Sequence, residues 1–218
     1  MRILAIETTE RAGTVAALID EQLLVSIELG SALRSAQTLA PGIGAVVAAA
    51  GWRPADVELV AVAAGPGSFT GLRIGITTAK MFAYAVGAEV LGINTLEVIA
   101  SQIPATGQRL WTVLDAQREQ VFAGQFAATD NGWLWHGQTT LLDNESWLAQ
   151  RSLGDLVAGP ALAKLADLLP KSVQIIDRAL WNPTAVSVGR IAFRQFAAGR
   201  RDDLWQLAPQ YFRRSAAE

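Results

Sequence analysis

The chain of 218 residues contains no cysteine and a single histidine, His136. Without cysteine there is no disulfide framework, no thiolate nucleophile and no zinc site built from cysteine ligands. Without a second histidine there is no metal site or mechanism that depends on a pair or a cluster of imidazoles. The sequence therefore excludes thiol chemistry and histidine-clustered metal chemistry for this chain.

Charged residues are also few, at 17% of the chain against 51% apolar residues. The apolar content excludes disorder as the main state, because disordered chains cannot bury enough apolar surface. With 18 basic and 20 acidic residues the net charge is −2, so positive charge alone does not account for nucleic-acid binding. Four arginines make the C-terminus locally basic: Arg200, Arg201, Arg213 and Arg214.

Long apolar runs are missing as well. The apolar stretch before Glu7 is too short for the core of a secretory signal. The longest uncharged stretch, residues 35–52, includes polar residues, proline and glycine, which makes it a poor membrane span. We therefore expect a soluble cytoplasmic protein without a membrane segment.

Apolar runs and turn residues along the chain predict an α/β fold. Pro104 to Gln108 is the best candidate boundary, because strands begin again after it. The predicted domains are therefore residues 1–103 and 104–218. In the first we expect strands at 2–7, 14–20, 23–29, 59–63 and 90–93, and helices at 37–50, 71–86 and from 95. In the second we expect strands at 110–114 and 120–126, and helices at 144–150, 160–168 and 184–198.

The most specific segment is the glycine-rich stretch from Gly65 to Gly75, which reads GPGSFTGLRIG and joins a buried strand to a helix. A helix N-terminus with few side chains can bind an anion through its free N–H groups. The segment lacks the lysine of a phosphate-binding P-loop after Gly71, and its third glycine comes one position late for the dinucleotide pattern. Two interpretations stay open, a tight turn between strand and helix or a contact with substrate or anion.

Two predicted helices carry patterns that suggest contact with another protein. No charged residue occurs between Ser35 and Trp52, and a helix that is apolar all round is normally buried all round. Burial under the second lobe and a protein–protein contact both explain this pattern. The helix after the glycine-rich stretch has an apolar stripe with core spacing and a second, more polar stripe that a solvated face would also explain.

Five segments occur in the order typical of one known family. They are Glu7-Thr8-Thr9, AQTLAP at 36–41, the glycine-rich stretch, LDAQREQVF at 114–122 and LAPQYFR at 207–213. With these segments, which extend over nearly the whole chain, the sequence resembles the TsaB (YeaZ) family. The resemblance implies a two-lobed, actin-like and Hsp70-like ATPase fold of the ribonuclease H type, in which each lobe is a mixed sheet with flanking helices.

The resemblance also implies a function and partners. Proteins of this family are non-catalytic scaffold subunits that pair with a TsaD-type paralogue, the transferase that modifies the adenosine beside the anticodon of tRNA. A TsaE-type P-loop ATPase joins the pair. The chain would form a homodimer when alone, would contact tRNA only through the complex, and would hold no cofactor, since ATP and metal are expected in the partner.

The surface implied for pairing lies on the two helices described above. Its expected members are Gln37, Leu39, Ile43, Val46, Val47, Ala50, Arg73, Ile76, Thr77, Lys80, Ala83 and Tyr84. A charge introduced by Val46→Glu or Ala83→Arg is expected to weaken pairing, because it would lie unpaired in a dry contact.

Two segments depart from the family pattern. Glu7-Thr8-Thr9 stands where Asp-Thr-Ser is usual, which places the acid one methylene further out. Ser35-Ala36-Gln37 stands where His-Ser-Gln is frequent, in a region that supplies histidine metal ligands in the catalytic paralogue. A metal site of that type is therefore absent from this chain.

Two enzymatic alternatives remain. A small-molecule kinase or ATP hydrolase of the same fold would need acids for Mg²⁺ and a general base, for which Glu7 and Asp115 are the candidates. Since no complete phosphate-binding template is present, both acids are better explained as residues that brace turns. A protease would use Ser68, but the lone His136, flanked by Trp135 and Gly137, is more typical of a packed surface residue than of a catalytic base.

Overall fold

The computed structural model describes residues 1–30, 35–130 and 132–212, without the side chains of residues 35 and 36. The chain divides into two compact units, residues 1–98 with 183–210 and residues 99–182 with 211–218. Each unit contains a mixed sheet with helices, as predicted. Among the described helices, none has both the length and the apolar character needed to cross a bilayer. Arg213 and Arg214 lie outside the described residues.

The first unit is built on a five-stranded sheet in the order β3-β2-β1-β4-β5. Strand β1 pairs antiparallel with β2 and parallel with β4, so it lies at the centre. The elements of this unit are β1 Arg2–Glu7, β2 Thr14–Ile19, β3 Gln22–Glu28, α1 Ser35–Ala49, β4 Leu59–Gly65, α2 Phe69–Val86, β5 Glu89–Asn94 and α3 Thr95–Ala100. All of these elements were predicted from the sequence, with ends that differ by a few residues.

Both faces of this sheet are covered, which explains why β1 and β4 are apolar at nearly every position. Alternate side chains such as Leu4 and Val62 point to the face under α1 and α2. The others, such as Ile3 and Ala61, point to the opposite face, where Val188 belongs to the same core cluster. The helix that supplies Val188 is α6, Ala185–Ala197.

The position of helix α6 differs from the one that the predicted domain boundary implies. Residues 183–210 belong to the first unit and not to a lobe of residues 104–218. The cause is packing, because α6 presents an apolar stripe to the sheet and approaches it closely at Gly189, where an added Cβ would lie 2.6 Å from Leu18 Cδ1. The amide of Ala185 also donates to Thr14 Oγ1 at 2.8 Å. The sequence signal near residue 103 therefore marks only one of the places where the chain passes from one unit to the other.

After α6 the chain runs along the free edge of β5 as a strap, residues 200–210. The amide of Gly92 in β5 donates to Asp202 Oδ2 at 2.9 Å, and Arg200 Nη2 donates to the Gly92 carbonyl at 2.8 Å. Further on, the amide of Gln210 donates to the Ala64 carbonyl at 2.9 Å. The strap thus satisfies backbone groups that an edge strand otherwise leaves exposed.

The second unit is built on a six-stranded sheet, in which five strands follow the order β11-β10-β6-β7-β8 and the sixth, β9, pairs with β7. Its long central pair, β6 with β7, is antiparallel, whereas β10 runs parallel to β6. The helix predicted at 160–168 is shorter in the structure than in the prediction, because residues 166–168 form a 3₁₀ turn. The elements are β6 Arg109–Gln117, β7 Gln120–Thr129, β8 Gly132–Trp135, β9 Thr140–Asp143, α4 Asn144–Ala149, β10 Leu156–Ala158, α5 Leu162–Leu165 and β11 Gln174–Ile175.

The position of α6 predicts a stability effect. Ile191→Ala should lower the free energy of unfolding by about 2–4 kcal/mol, since Ile191 is buried between α6 and the sheet of the first unit. The matched change Ile175→Ala, at an exposed position of β11, should cost less than about 1 kcal/mol. Urea unfolding followed by circular dichroism measures both values. Equal losses in the two variants would contradict the placement of α6.

Candidate functional site

The glycine-rich stretch forms a loop that is bonded to the end of β1. Ser68 is the N-cap of α2, and its Oγ accepts from the Gly71 amide at 3.2 Å. The Ser68 amide donates to the Thr9 carbonyl at 2.8 Å, and Thr8 Oγ1 donates to the Gly71 carbonyl at 2.8 Å. The amides of Ser68 and Gly71, which an anion at this helix terminus would use, are therefore engaged within the protein.

The glycines of the loop allow this close approach. An added Cβ at Gly71 would lie 1.8 Å from the Thr8 carbonyl oxygen, and one at Gly75 would lie 2.3 Å from Thr8 Oγ1. At Gly67 the added atom would lie 2.5 Å from Thr9 Cβ. These contacts support the interpretation of the segment as a tight turn, because the space next to each glycine is filled by the end of β1.

Glu7 lies beneath this loop and is fully buried. Its Oε1 accepts from the amide and the hydroxyl of Thr9, each at 2.5 Å, while its Oε2 has no hydrogen-bond partner within the described part of the chain. Burial raises the pKa of Glu7 to about 8, so the carboxyl group is mainly protonated at neutral pH. In the metal-free chain this carboxyl group braces the turn at Thr9 through its Oε1.

Asp115 in the second unit is also held by neighbours. Its Oδ1 accepts from the Gln117 amide at 2.8 Å, and its Oδ2 forms an ion pair with Lys164 Nζ at 2.5 Å. The turn that follows holds Gln117, Arg118 and Glu119 at φ values of 61°, 54° and 58°, a region that non-glycine residues seldom adopt. Asp115 thus stabilises an unusual turn between β6 and β7.

The residues considered for a protease offer no activated nucleophile. Ser68 Oγ serves as the helix cap described above. His136 is exposed in the turn after β8, where its backbone amide donates to the Gln125 carbonyl at 3.2 Å. Within the described ranges, no three histidine or acidic side chains are grouped so that they could hold a metal ion.

Half of the residues expected on the pairing surface lie inside the first unit. They are Leu39, Ile43, Val46, Val47, Ile76 and Ala83, all buried in one core cluster beneath α1 and α2. Their spacing of three and four residues is that of a helix face turned to a sheet. The changes Val46→Glu and Ala83→Arg would therefore test the fold and not a surface.

The other six expected residues are accessible to different degrees. Gln37, Arg73, Thr77 and Tyr84 are exposed, and Ala50 and Lys80 are half-buried. Lys80 Nζ donates to the carbonyls of Trp205 and Leu207 at 3.0 and 2.9 Å. Lys80 thus fastens the strap to α2.

The structure adds two residues that the sequence interpretation missed, Met81 and Trp205, to a surface on which Tyr84 was expected. Met81 and Tyr84 of α2 are each 68% exposed, and Trp205 of the strap is 71% exposed. The rings of Tyr84 and Trp205 meet edge to face at 5.4 Å between centroids. We call this set the outward surface; its α1 members are small and uncharged, namely Ala40, Pro41, Gly44, Ala45 and Ala48, and its other members are Thr77, Met81, Tyr84 and Trp205.

The members of the outward surface on α1 and α2 could have been found from the sequence, because they are the helix positions outside the apolar stripe that packs on the sheet. Trp205 could not, because it is 125 residues away from Lys80, to which its backbone is bonded. The only sequence signal near it was the segment at 207–213, which carries no indication of where it packs.

Comparison with known proteins places the chain among tRNA-modification proteins. The family model described as TsaD, tRNA N6-adenosine threonylcarbamoyltransferase, matches residues 31–182. The tRNA threonylcarbamoyladenosine biosynthesis protein TsaB of Escherichia coli is 28% identical over 225 residues, which cover 100% of this chain and 96% of that protein.

Solved structures agree on the fold. YeaZ from Pseudomonas aeruginosa superposes with a TM-score of 0.82 at 24% identity, covering 97% of this chain and 99% of that one. The activator of 2-hydroxyisocaproyl-CoA dehydratase from Clostridium difficile, solved with bound ADPNP, has a TM-score of 0.51 at 12% identity and covers 93% of this chain and 99% of that one. The predicted actin-like ATPase fold is confirmed.

The loop contacts predict opposite effects for two glycine substitutions. Gly71→Ala should destabilise the protein by about 3 kcal/mol, because its Cβ would collide with the Thr8 carbonyl oxygen, a backbone atom. Gly44→Ala, on the exposed side of α1 with open space around it, should stabilise by about 0.5–1 kcal/mol through helix propensity. Urea unfolding of both variants measures the difference. A Gly71→Ala protein as stable as the unmodified chain would refute the close contact.

Burial of Glu7 predicts a pH dependence. The pKa of about 8 in the folded chain lies above the ordinary value of 4.5, so between these values unfolding releases a proton that the folded state retains. Stability should therefore fall as the pH rises from about 5 to 8, with a slope of up to ~1.4 kcal/mol per pH unit from this group.

The variant Glu7→Gln isolates this contribution, because its amide oxygen can still accept from Thr9. Its stability relative to the unmodified chain should increase steadily between pH of about 5 and 8. Urea unfolding of both proteins at several pH values in this interval provides the measurement. A difference that does not change with pH would show that Glu7 titrates normally.

Proposed function

The chain belongs to the TsaB (YeaZ) family and also matches the TsaD family model over residues 31–182, and we propose that it is a non-catalytic subunit of the tRNA threonylcarbamoyladenosine machinery. Its role in this biosynthesis follows from the family. More specifically, the chain docks on a TsaD-type paralogue and holds that paralogue in its active arrangement. The transferase then supplies the chemistry and this chain supplies a surface.

The observation that carries the proposal is the outward surface. Helix α1 has no charged residue from Ser35 to Ala49, and its exposed positions after Gln37 are small, so another helix can approach its backbone closely. Next to it, Met81, Tyr84 and Trp205 offer large apolar side chains of the kind that anchor protein interfaces. Exposed apolar groups gathered in this way are typical of a docking site.

A paralogue of the same fold is the natural partner for such a surface. The TsaD family model matches a range that includes both α1 and α2, so a TsaD-type protein would have corresponding helices. Related chains can then pair through the same helices in a pseudo-symmetric way, as identical chains do in a homodimer. A specific contact of this kind removes about 1,600 Å² from water.

The loop beneath α2 supports a non-catalytic role. The neutral, buried Glu7 and the engaged amides of Ser68 and Gly71 leave this end of β1 poorly suited to a nucleotide. We therefore assign ATP and metal to the partner. Docking would act by biasing a two-state equilibrium of the transferase.

The remaining parts of the proposal follow from the family resemblance. A TsaE-type P-loop ATPase would join the pair, and the chain would form a homodimer through the outward surface when the paralogue is missing. Contact with tRNA would occur only within the complex, which would work in the cytoplasm.

The role in tRNA modification is tested in the cell of origin. Depletion of the chain should remove threonylcarbamoyladenosine from total tRNA, and re-expression should restore it. Mass spectrometry of nucleosides from digested tRNA measures the modification. An unchanged level of this nucleoside after depletion would refute the proposed role.

The docking surface is tested by substitutions that spare the core. Ala45→Arg should weaken binding to the TsaD-type paralogue at least about tenfold, because it places an unpaired charge in the contact. Tyr84→Ala should also weaken binding, through the loss of an aromatic anchor. Isothermal titration with the purified paralogue measures the dissociation constants.

The control for this experiment is Ala163→Arg, which introduces the same side chain at an exposed position of α5 in the second unit. It should bind the paralogue like the unmodified chain. If Ala45→Arg and Tyr84→Ala both fold and bind with unchanged affinity, the outward surface is not the docking site.

A further inference from the structure

A separate group of charged and aromatic side chains lies in the second unit, and we call it the Arg151 cluster. Trp111 belongs to β6, Trp147 belongs to α4, and Arg151 follows the end of α4. Arg109 and Asp155 stand side by side because β6 and β10 run parallel and begin in register. The cluster has no part in the function proposed above.

The charges of this cluster do not balance. Asp155 is buried, and its Oδ1 accepts from Arg109 Nε at 2.8 Å and from Arg109 Nη2 at 2.7 Å. Its Oδ2 accepts from the Ser152 amide at 2.9 Å. Asp155 attracts Arg151 electrostatically, but its oxygens are bonded to Arg109 and a backbone amide, so Arg151 forms no ion pair within the described residues.

Arg151 is nevertheless only 8% exposed. Its Nε donates to the Trp147 carbonyl at 2.9 Å, and its guanidinium carbon lies 3.8 Å from the ring centroid of Trp111 and 4.7 Å from that of Trp147. Its Nη1 and Nη2 are buried and have no acceptor in the described part of the chain. Burial lowers the pKa of Arg151 to about 10, which still leaves the group charged at neutral pH.

The aromatic neighbours stabilise this charge but do not complete its hydrogen bonds. The two ring faces attract the cation, yet neither ring offers a lone pair. The indole nitrogens of Trp111 and Trp147 are themselves buried donors without a partner in the described ranges. The cluster therefore combines four unpartnered donor nitrogens with a positive charge, and what it lacks is an acceptor.

From this imbalance we infer that the Arg151 cluster binds a small oxyanion through Nη1 and Nη2 of Arg151. A phosphate or carboxylate group has several lone pairs and the opposite charge, and its oxygens match the geometry of a guanidinium. A water molecule has no charge with which to compensate that of Arg151. The ion can be free in solution or part of a metabolite, since both present the same oxygens.

Inorganic phosphate is the first probe, used with the full chain. At constant ionic strength, phosphate at about ten times its dissociation constant should raise the melting temperature by about 2–4 °C through binding to the folded state. Phosphate also stabilises proteins without binding, so the measured quantity is the difference between variants. Arg151→Met keeps an unbranched chain between the rings and should lose the specific part of the shift.

The matched control is Arg178→Met, because Arg178 is exposed and also lies over a tryptophan ring, that of Trp181 at 5.8 Å. It should retain the full shift. Acetate in place of phosphate tests the carboxylate form, and an Arg151-dependent shift with either ion supports the site. An equal shift in Arg151→Met and the unmodified chain, or no shift with both ions, overturns it.

A second measurement observes the ligand, and its main comparison needs only the unmodified chain. The phosphorus resonance of phosphate should broaden when the unmodified chain is added. It should sharpen again when excess acetate or arsenate, neither of which contains phosphorus, competes for the site. Trp111→Phe, which keeps the aromatic face of the site and removes one donor, should weaken the broadening. The inference is refuted if the unmodified chain leaves the phosphate line width unchanged and neither phosphate nor acetate changes the melting temperature.

Discussion

The contact between the backbone of Thr8 and the start of α2 is the constraint on which the first unit depends. Three glycines let the helix approach so closely that no side chain fits between it and the end of β1. The same approach engages the amides of Ser68 and Gly71 and seals Glu7 from solvent. A loop that resembles a phosphate-binding element in composition is therefore a packing element in this chain.

The helices above this contact have two different faces. Their inner faces fill the core of the first unit with residues such as Val46 and Ala83. Their outer faces hold few charges and, with Trp205 of the strap, form the outward surface. An outer face with few charges above a loop closed by packing supports the proposal that this chain acts by contact with another protein.

Two of the buried ionisable groups, Glu7 and Arg151, meet the free-energy cost of burial in different ways. Glu7 becomes neutral, because a carboxyl group can take up a proton within the physiological range when its pKa rises to about 8. Arg151 stays charged with a pKa of about 10, so it needs aromatic faces and a counter-charge. Glu7 therefore meets the cost of burial by taking up a proton, whereas Arg151 keeps its charge between aromatic rings.

The sequence by itself determined the α/β class, the order of the elements, the absence of thiol and histidine chemistry and the family to which the chain belongs, since these depend on local periodicity and on residue identity. Tertiary structure alone decided that α6 and the strap return to the first unit, that half of the expected surface residues are core, and that Trp205 stands beside Tyr84. A helical stripe of apolar residues looks the same whether it faces its own sheet or a partner. Only the three-dimensional position of distant segments shows which face is already covered, and which buried charge has no partner among the residues that the structure describes.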